Sequence, residues 1–250
     1  MKNKRMMPNQ EKTIKRANLM KEMELLECIE PQNLSEPVGM ENGNTKTGEC
    51  GKVYDKIFVW NLPPVITCPG LSEWCKFNCY NADNRYDKFP IDKWCENLWW
   101  VLNKKEVLSN KIQLQLNEYR SQKVAVRIHS SGDFFSKEYI EFWKKIIEKN
   151  PRVDFWAYTR SWCVEELEKS IIDLNQLDNM CLIFSCDKTM KKPLEGFPKS
   201  IVVNSSKEML ELSNMKKGII CPEQYNLISG CADCGICIRN LSRDIYFILH

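Results

Sequence analysis

Short apolar runs alternate with longer amphipathic segments from about residue 53 onward. The runs are rich in β-branched and aromatic side chains, which is typical of buried strands. They predict strands at residues 57–60, 124–129, 154–158, 181–184, 201–203, 218–220 and 243–249. Apolar residues at helical spacing between these runs predict helices at residues 91–120, 137–149, 164–174 and 206–213.

This alternation predicts an α/β fold, because helices that connect successive strands make those strands parallel. We expect a partial (βα)6 TIM-like barrel of parallel strands over residues 53–220. A charged helix at residues 9–30 and a loop rich in proline and glycine at residues 31–52 predict an N-terminal helical extension over residues 1–52. Residues 221–250 are expected to form a C-terminal cysteine-rich metal-binding tail.

Polar residues follow each predicted strand at its carboxyl end. Ligands of parallel α/β folds bind at these ends, so we expect the polar groups to converge on one face. Loops after strands are also commonly polar without any binding role. The candidate catalytic residues are Arg127, His129 and Tyr158, and Thr159 and Asn204 are candidate cofactor contacts.

Arg127 and His129 alternate with Val124, Val126 and Ile128 along the second strand. If the apolar set faces the helices, Arg127 and His129 face the barrel interior. A buried arginine needs an anionic partner. A catalytic role and a structural hydrogen-bonded role both suit the histidine.

The composition allows a sizeable core, since 43% of the 250 residues are hydrophobic. The net charge of +3 neither requires nor excludes a nucleic-acid partner. No apolar run reaches the length of a membrane span, and no apolar stretch follows the basic start of the chain as in a signal peptide. We therefore expect a soluble cytoplasmic protein with no membrane partner.

The chain has 13 cysteines, an odd number, and more than half of them form two tight groups. In a reducing cytosol, clustered thiolates are more typical of zinc or iron–sulfur sites than of disulfides. Isolated cysteines are expected to be small buried apolar residues. The isolated ones are Cys28, Cys50, Cys95, Cys163 and Cys181.

The first group, Cys68, Cys75 and Cys79, follows the first predicted strand with the spacing C-x6-C-x3-C. Three thiolates can hold three irons of a 4Fe–4S cluster and leave the fourth iron open for S-adenosylmethionine. A zinc ion with a fourth ligand from elsewhere is the alternative. Tyr80 directly follows the last cysteine, and its ring would either cover the cluster or be buried in the core.

The second group, Cys221, Cys231, Cys234 and Cys237, has the spacing C-x9-C-x2-C-x2-C. Four cysteines at such spacing indicate a metal site. The C-x2-C-x2-C repeat resembles half of a ferredoxin-type site and favours an iron–sulfur cluster, with structural zinc as the competitor.

Several motifs between about residues 40 and 240 resemble the phage "gene product eighty-eight" family. The most specific are Thr67-Cys68-Pro69-Gly70 with Cys75 and Cys79-Tyr80, Ser131-Gly132-Asp133-Phe134-Phe135, and Cys221-Pro222-Glu223-Gln224. The resemblance implies a protein of phage and mobile-element genomes, and the family carries no established activity.

The layout also resembles the radical S-adenosylmethionine superfamily, in which a three-cysteine loop follows the first strand of a partial βα barrel. This resemblance implies that Ser131, Gly132 and Asp133 contact S-adenosylmethionine, where the superfamily has a Gly-Gly-Glu-like motif. It also implies an auxiliary cluster at the second cysteine group. The superfamily loop is usually C-x3-C-x2-C, and this chain has C-x6-C-x3-C instead.

The leading hypothesis is one-electron reductive cleavage of S-adenosylmethionine at an open 4Fe–4S cluster, with an unknown substrate and an electron donor as partner. The alternative is a non-catalytic zinc-binding phage or mobile-element protein that contacts nucleic acid or a host protein. The basic residues available for phosphate contacts are Lys2, Lys4, Arg5, Lys12, Lys15 and Arg16. A solvated helix face is the preferred explanation of this basic run.

Overall fold

The computed structural model describes residues 36–79, 81, 91–187, 189–191, 193–203, 205–216, 218–239 and 241–248. The predicted helix at residues 9–30 lies outside these ranges. So do three residues singled out from the sequence, Cys28, Tyr80 and Asn204.

Eight strands in the described residues form one sheet, in the order β1-β2-β3-β4-β5-β6-β8-β7. The strand bounds are β1 Glu41–Asn42, β2 Lys56–Trp60, β3 Val124–Ile128, β4 Asp154–Thr159, β5 Met180–Cys186, β6 Lys199–Val203, β7 Ile219–Ile220 and β8 Ile245–Ile248. The pairing of β1 with β2 is antiparallel, and all the other pairings are parallel.

Seven α-helices accompany the strands across the described ranges. They are α1 Glu73–Asn78, α2 Ile91–Asn103, α3 Lys105–Glu118, α4 Lys137–Lys149, α5 Glu165–Leu174, α6 Ser206–Lys216 and α7 Cys231–Cys234. The single helix predicted at residues 91–120 is two helices, because the backbone of Lys104 leaves the helical region at φ −143°. None of the helices in this part of the chain is long and apolar enough to cross a membrane.

The α/β class with parallel strands is therefore confirmed. The sheet is open, with β1 at one edge and β7 at the other, so the TIM-like closure in the prediction is not confirmed. Near the second edge the strands leave sequence order, because β8 inserts between β6 and β7. Sequence periodicity carries no information on such an insertion, since it depends only on which strands pair.

The two faces of the sheet are covered by different parts of the chain. Alternate residues of β3, such as Val126, pack against α2 to α5 on one face. Ala125 belongs to the opposite face, where Ala232 and Ile238 of the C-terminal cysteine segment cover it. Every residue of β2 and β3 is buried, as expected for parallel strands covered on both sides.

Backbone hydrogen bonds fix the C-terminal segment to the loop before β2. The carbonyl of Ala232 accepts hydrogen bonds from the amides of Val53 and Tyr54, at 3.0 and 3.1 Å. The amide of Ala232 donates to the carbonyl of Thr47 at 2.8 Å. A side-chain contact adds to this, since the Tyr54 hydroxyl and the Arg239 guanidinium both donate to Asp154. The cysteine segment is thus an integral layer of the fold.

The isolated cysteines divide between core and surface. Cys95 and Cys181 are buried, as predicted. Cys163 is half-buried. Cys50 is exposed, and the prediction for it is wrong because it lies in the loop between β1 and β2 at the surface.

A buried aromatic network joins the ends of β2 and β3 to α4. The indole nitrogen of Trp60 donates to the Tyr139 hydroxyl at 2.9 Å, and that hydroxyl bonds Nε2 of His129 at 2.8 Å. His129 has a positive φ of 68°, which ends the strand alternation and turns its ring towards Phe134 on the helix face. The prediction that His129 faces the barrel interior, away from the helices, is therefore wrong, because the backbone leaves the extended conformation at this residue.

We predict that alanine at Gly132 destabilises the fold far more than alanine at Gly196. Both glycines have positive φ, so each substitution carries a backbone cost of roughly 1–2 kcal/mol. A Cβ at Gly132 would also lie 2.7 Å from both Leu62 and Thr67, whereas a Cβ at Gly196 meets nothing within 4 Å. In urea unfolding, the free energy of unfolding of Gly132→Ala should be roughly 1–3 kcal/mol lower than that of Gly196→Ala. Equal losses would contradict the described packing of the two loops.

We also predict an acid-dependent loss of stability through His129. Burial, with a smaller contribution from the charge of Arg127, lowers the pKa of His129 to about 3. The unfolded chain therefore binds a proton at this residue below about pH 6.5 and the folded chain does not. Stability must fall with decreasing pH, by at most about 1.4 kcal/mol per unit from this group.

The matched variant is His129→Asn, because asparagine tolerates positive φ and does not titrate. Urea unfolding over a pH series should give a shallower pH dependence for the variant than for the wild type. Identical slopes would show that His129 titrates normally in the folded chain.

Candidate functional site

The first cysteine group lies at the carboxyl end of β2. Cys68 sits in the turn after the strand, Cys75 lies in α1, and Cys79 caps the end of α1. The helix starts here because the hydroxyl of Ser72 accepts a hydrogen bond from the amide of Cys75 at 3.0 Å. Sequence reasoning predicted a loop over this stretch and missed the short helix, whose signal is a serine three residues before Cys75.

The thiols of this group affect one another's pKa. Burial raises the pKa of Cys68 well above its ordinary value, and the charge of Asp133 and the neighbouring Cys79 and Cys75 raise it further. Burial raises the pKa of Cys75 to about 11, although the neighbouring charge of Arg160 opposes this rise. At neutral pH Cys68 and Cys75 are therefore protonated, and a bound metal would have to displace their protons.

Asp133 joins the loops that follow three strands. Its carboxylate accepts from the Thr159 hydroxyl at 2.6 Å and from the amides of Phe134 and Arg160, each at 2.7 Å. The amide of Asp133 donates to the carbonyl of Thr67, beside Cys68, at 3.1 Å. Burial raises the pKa of Asp133, and these hydrogen bonds limit the increase. One carboxylate thus links the cysteine loop of β2 to the ends of β3 and β4.

Arg160 and Asp187 form an ion pair next to the first cysteine group. Nη1 of Arg160 lies 2.6 Å from Oδ2 of Asp187, and the Ser72 hydroxyl donates to the same oxygen. Gly70 packs directly on the backbone of Arg160, where a Cβ would lie 2.2 Å from the carbonyl oxygen. The sequence signal for Arg160 and Asp187 is their position directly after β4 and β5, yet neither was selected as a site residue.

Hydrogen bonds of its backbone amide and carbonyl fix the position of Ser131. Its amide and that of Ser130 donate to Oδ1 of Asn61, at 2.9 and 3.0 Å, and its carbonyl accepts from Leu62 at 3.0 Å. The Ser131 hydroxyl is buried and has no hydrogen-bond partner. Asn61 was not selected from the sequence, although it directly follows β2.

The second cysteine group lies on the face of the sheet opposite the helices. Cys221 follows β7, Cys231 and Cys234 belong to α7, and Cys237 follows that helix. Burial raises the pKa of Cys231 to about 11, and it also raises the pKa of Cys237. The neighbouring Cys221 and Cys234 raise both pKa values as well. The cysteines that affect these two thiols all belong to the second group, so the two cysteine groups are separate.

Arg127 and Tyr158 lie beneath the second group. The Arg127 guanidinium is 5.5 Å from the centre of the Tyr158 ring. Its charge lowers the pKa of Cys231, and hydrogen bonding from Tyr158 lowers that of Cys237. Arg127 does face away from the helices, as predicted. The structure brings Arg127 and Tyr158 together, whereas Ser131, Gly132, Asp133 and Thr159 gather at the first group.

The donor set of each group suits a soft metal, since it consists of clustered thiols. Every cysteine in the described ranges is a free thiol. Within those ranges, no three histidine, cysteine, aspartate or glutamate side chains stand in positions that could already hold a metal ion. The chemistry of the residues therefore fits a thiolate metal site, and the ligand atoms would have to move closer together on binding.

Comparisons with known proteins agree with the motif resemblance. Gene 88 protein of Mycobacterium phage L5 is 27% identical over an aligned length of 200 residues, and the match covers 73% of this chain and 82% of that protein. Gene 88 protein of Mycobacterium phage D29 is 26% identical over an aligned length of 193 residues, and the match covers 70% of this chain and 79% of that protein. No solved structure matches the chain. The model of the family described as Gene product 88 matches residues 34–240, and the chain therefore belongs to the Gene product 88 family of phage proteins.

Proposed function

We propose that this protein is an iron–sulfur enzyme of the radical S-adenosylmethionine type. The observation that carries the proposal is the meeting of Cys68 and Cys75 with the Asp133 loop at the carboxyl ends of β2 and β3. Ligand sites of parallel α/β folds form at these ends. Such a site needs three thiols from one loop and a neighbouring loop that can receive the cofactor.

The sheet supports the proposal through its strand order. From β2 to β6 the parallel strands follow one another in sequence, with α2 to α5 against one face. That arrangement is the one from which a curved partial barrel is built. In such a barrel the inner face would carry the substrate, and here that face carries Arg127 and Tyr158.

Cys68, Cys75 and Cys79 would hold a four-iron cluster and leave one iron open. When bound, such a cluster supplies the electron for reductive cleavage of S-adenosylmethionine. Arg160, next to Cys75, would favour the thiolate form that a cluster needs. Tyr80 would lie beside the cluster, directly after Cys79.

The loop after β3 would receive S-adenosylmethionine. Gly132 lets this loop approach Leu62 and Thr67 closely, and Asp133 fixes it to Thr159. The Ser131 hydroxyl of this loop is buried and has no hydrogen-bond partner in the protein, so it would be free to bond the cofactor. Asn204, which follows β6, completes the proposed set of contacts.

His129 would act as a neutral group. Its pKa of about 3 means that the imidazole carries no charge at neutral pH, and its bond to Tyr139 holds the ring in the core. Of the three candidate catalytic residues, Arg127 and Tyr158 are the ones on the inner face. The same proposal includes an electron donor as a partner of the protein and a cytoplasmic location.

A zinc protein without catalysis is the second candidate. Two observations favour it: both carboxylate oxygens of Asp133 already accept hydrogen bonds from the protein, and the spacing of the first cysteine group departs from C-x3-C-x2-C. Under this hypothesis both cysteine groups bind zinc, and the protein contacts nucleic acid or a host protein.

We predict that anaerobic reconstitution with iron and sulfide loads the full-length chain with about eight irons, four for each group. Replacing Cys68, Cys75 and Cys79 by alanine should lower the count to about four and abolish formation of 5′-deoxyadenosine from S-adenosylmethionine under reducing conditions. Cys50→Ala is the matched control, because Cys50 is an exposed cysteine outside both groups.

Two results would contradict this proposal. A protein that retains stoichiometric zinc and takes up no iron would establish the zinc alternative. Iron uptake at the first group without release of 5′-deoxyadenosine under any reductant would exclude the enzymatic reaction.

A further inference from the structure

Arg127 is a buried charge with no counter-charge among the described residues. Its side chain projects from β3 onto the face of the sheet opposite the helices, and only 8% of the residue is exposed. Its Nε atom is buried and has no hydrogen-bond partner. No carboxylate in the described ranges forms an ion pair with it. A buried arginine of this kind needs an anion, so the position points to a negative group that binds there.

The groups around Arg127 identify that anion. Tyr158, beneath the guanidinium, packs in the same cluster as Cys221, Cys231 and Cys237. Lys46 is a second cation at this group. Its carbonyl accepts a hydrogen bond from the amide of Cys231 at 3.2 Å, and its ammonium lies 3.7 Å from Glu223 at the rim of the group.

We propose that Arg127, assisted by Lys46, balances the charge of a tetrathiolate metal centre formed by Cys221, Cys231, Cys234 and Cys237. Four thiolates around one zinc ion, or around a 4Fe–4S cluster in its oxidised state, carry two net negative charges. Two cations neighbour this group. Arg127 is then a positioning residue of the metal centre.

The proposal rests on only one part of the proposed function, namely metal binding at the second group. It is independent of S-adenosylmethionine chemistry. A small anionic ligand suits the site less well, because the loop around Lys46 is bonded to the cysteine segment. The Lys46 carbonyl accepts from the amide of Cys231 at 3.2 Å, and a Cβ at Gly230 would lie 2.9 Å from the same oxygen.

Thiols that bind a divalent metal ion release their protons to the buffer, and no oxidation state changes. In the metal-free protein, Arg127 has no counter-charge among the described residues. The metal-bound protein holds the same arginine next to two negative charges. Removal of the arginine charge should consequently affect the two forms in opposite directions.

The experiment uses the full-length chain with Cys68, Cys75 and Cys79 replaced by alanine, so that only the second group binds metal. Under anaerobic, reducing conditions Co²⁺ is added and its thiolate charge-transfer absorption is followed, and Zn²⁺ affinity is measured by competition with a chelator. Unfolding in urea is measured with and without Zn²⁺. The variants are Arg127→Gln, Arg127→Lys and the control Arg152→Gln.

Arg127→Gln should weaken Zn²⁺ binding by about 10- to 100-fold, the range for residues that support metal ligands. It should also raise the urea midpoint of the metal-free chain, because an unbalanced buried charge is removed. Arg127→Lys should bind Zn²⁺ more tightly than Arg127→Gln. Arg152→Gln should not change the affinity, since Arg152 is exposed and lies in the loop between α4 and β4, outside the cysteine segment.

A Zn²⁺ affinity of Arg127→Gln equal to that of the unsubstituted arginine chain overturns the inference. So does a metal-free urea midpoint that falls in Arg127→Gln, since that result assigns Arg127 a structural role alone. Absence of any Co²⁺ thiolate absorption overturns both the inference and metal binding at the second group. The two proposals can fail separately: if Arg127 controls Zn²⁺ affinity as predicted but the chain with all its cysteines releases no 5′-deoxyadenosine, the enzymatic proposal fails and the inference stands.

Discussion

The architecture of the candidate site depends on one buried carboxylate. Asp133 accepts hydrogen bonds from Thr159 and from the amides of Phe134 and Arg160, while its own amide is bonded to Thr67. These contacts hold the loops after β2, β3 and β4 in one place. A buried carboxylate is costly unless its oxygens are satisfied, and here backbone amides and a hydroxyl satisfy them. The cysteine loop and the serine–glycine loop therefore cannot shift independently of each other.

A second constraint is the need to cover both faces of a parallel sheet. Helices α2 to α5 cover one face, and the segment that carries the second cysteine group covers the other. The metal-binding chemistry proposed for this segment is thus tied to folding, because the segment packs directly on β2, β3 and β4. Bonds from Val53 and Tyr54 to Ala232 keep it in register with the sheet.

Much of this organisation can be predicted from the sequence. The apolar runs predict the strands because parallel strands are buried on both faces, and the polar residues after them predict the edge at which the thiols and Asp133 meet. Ser136 directly precedes the helix predicted at residues 137–149, and it caps α4 because its hydroxyl accepts a hydrogen bond from the amide of Tyr139. Local chemistry fixes features of this kind, so they leave a local signal.

The features that escaped prediction depend on long-range or backbone effects. The positive φ of His129 turns its ring into the helix-side core, and no residue pattern indicates it. The insertion of β8 between β6 and β7 depends on pairing across the sheet. The roles of Asn61 and Arg160 depend on loops that are distant in sequence and meet only in the fold.

Electron paramagnetic resonance of the reduced, reconstituted protein, before and after addition of S-adenosylmethionine, tests the central claim most directly. An open iron at Cys68, Cys75 and Cys79 predicts a cluster signal that changes on addition, while the signal of the second group stays the same. A spectrum without a cluster signal, or one that S-adenosylmethionine leaves unchanged, would contradict the account.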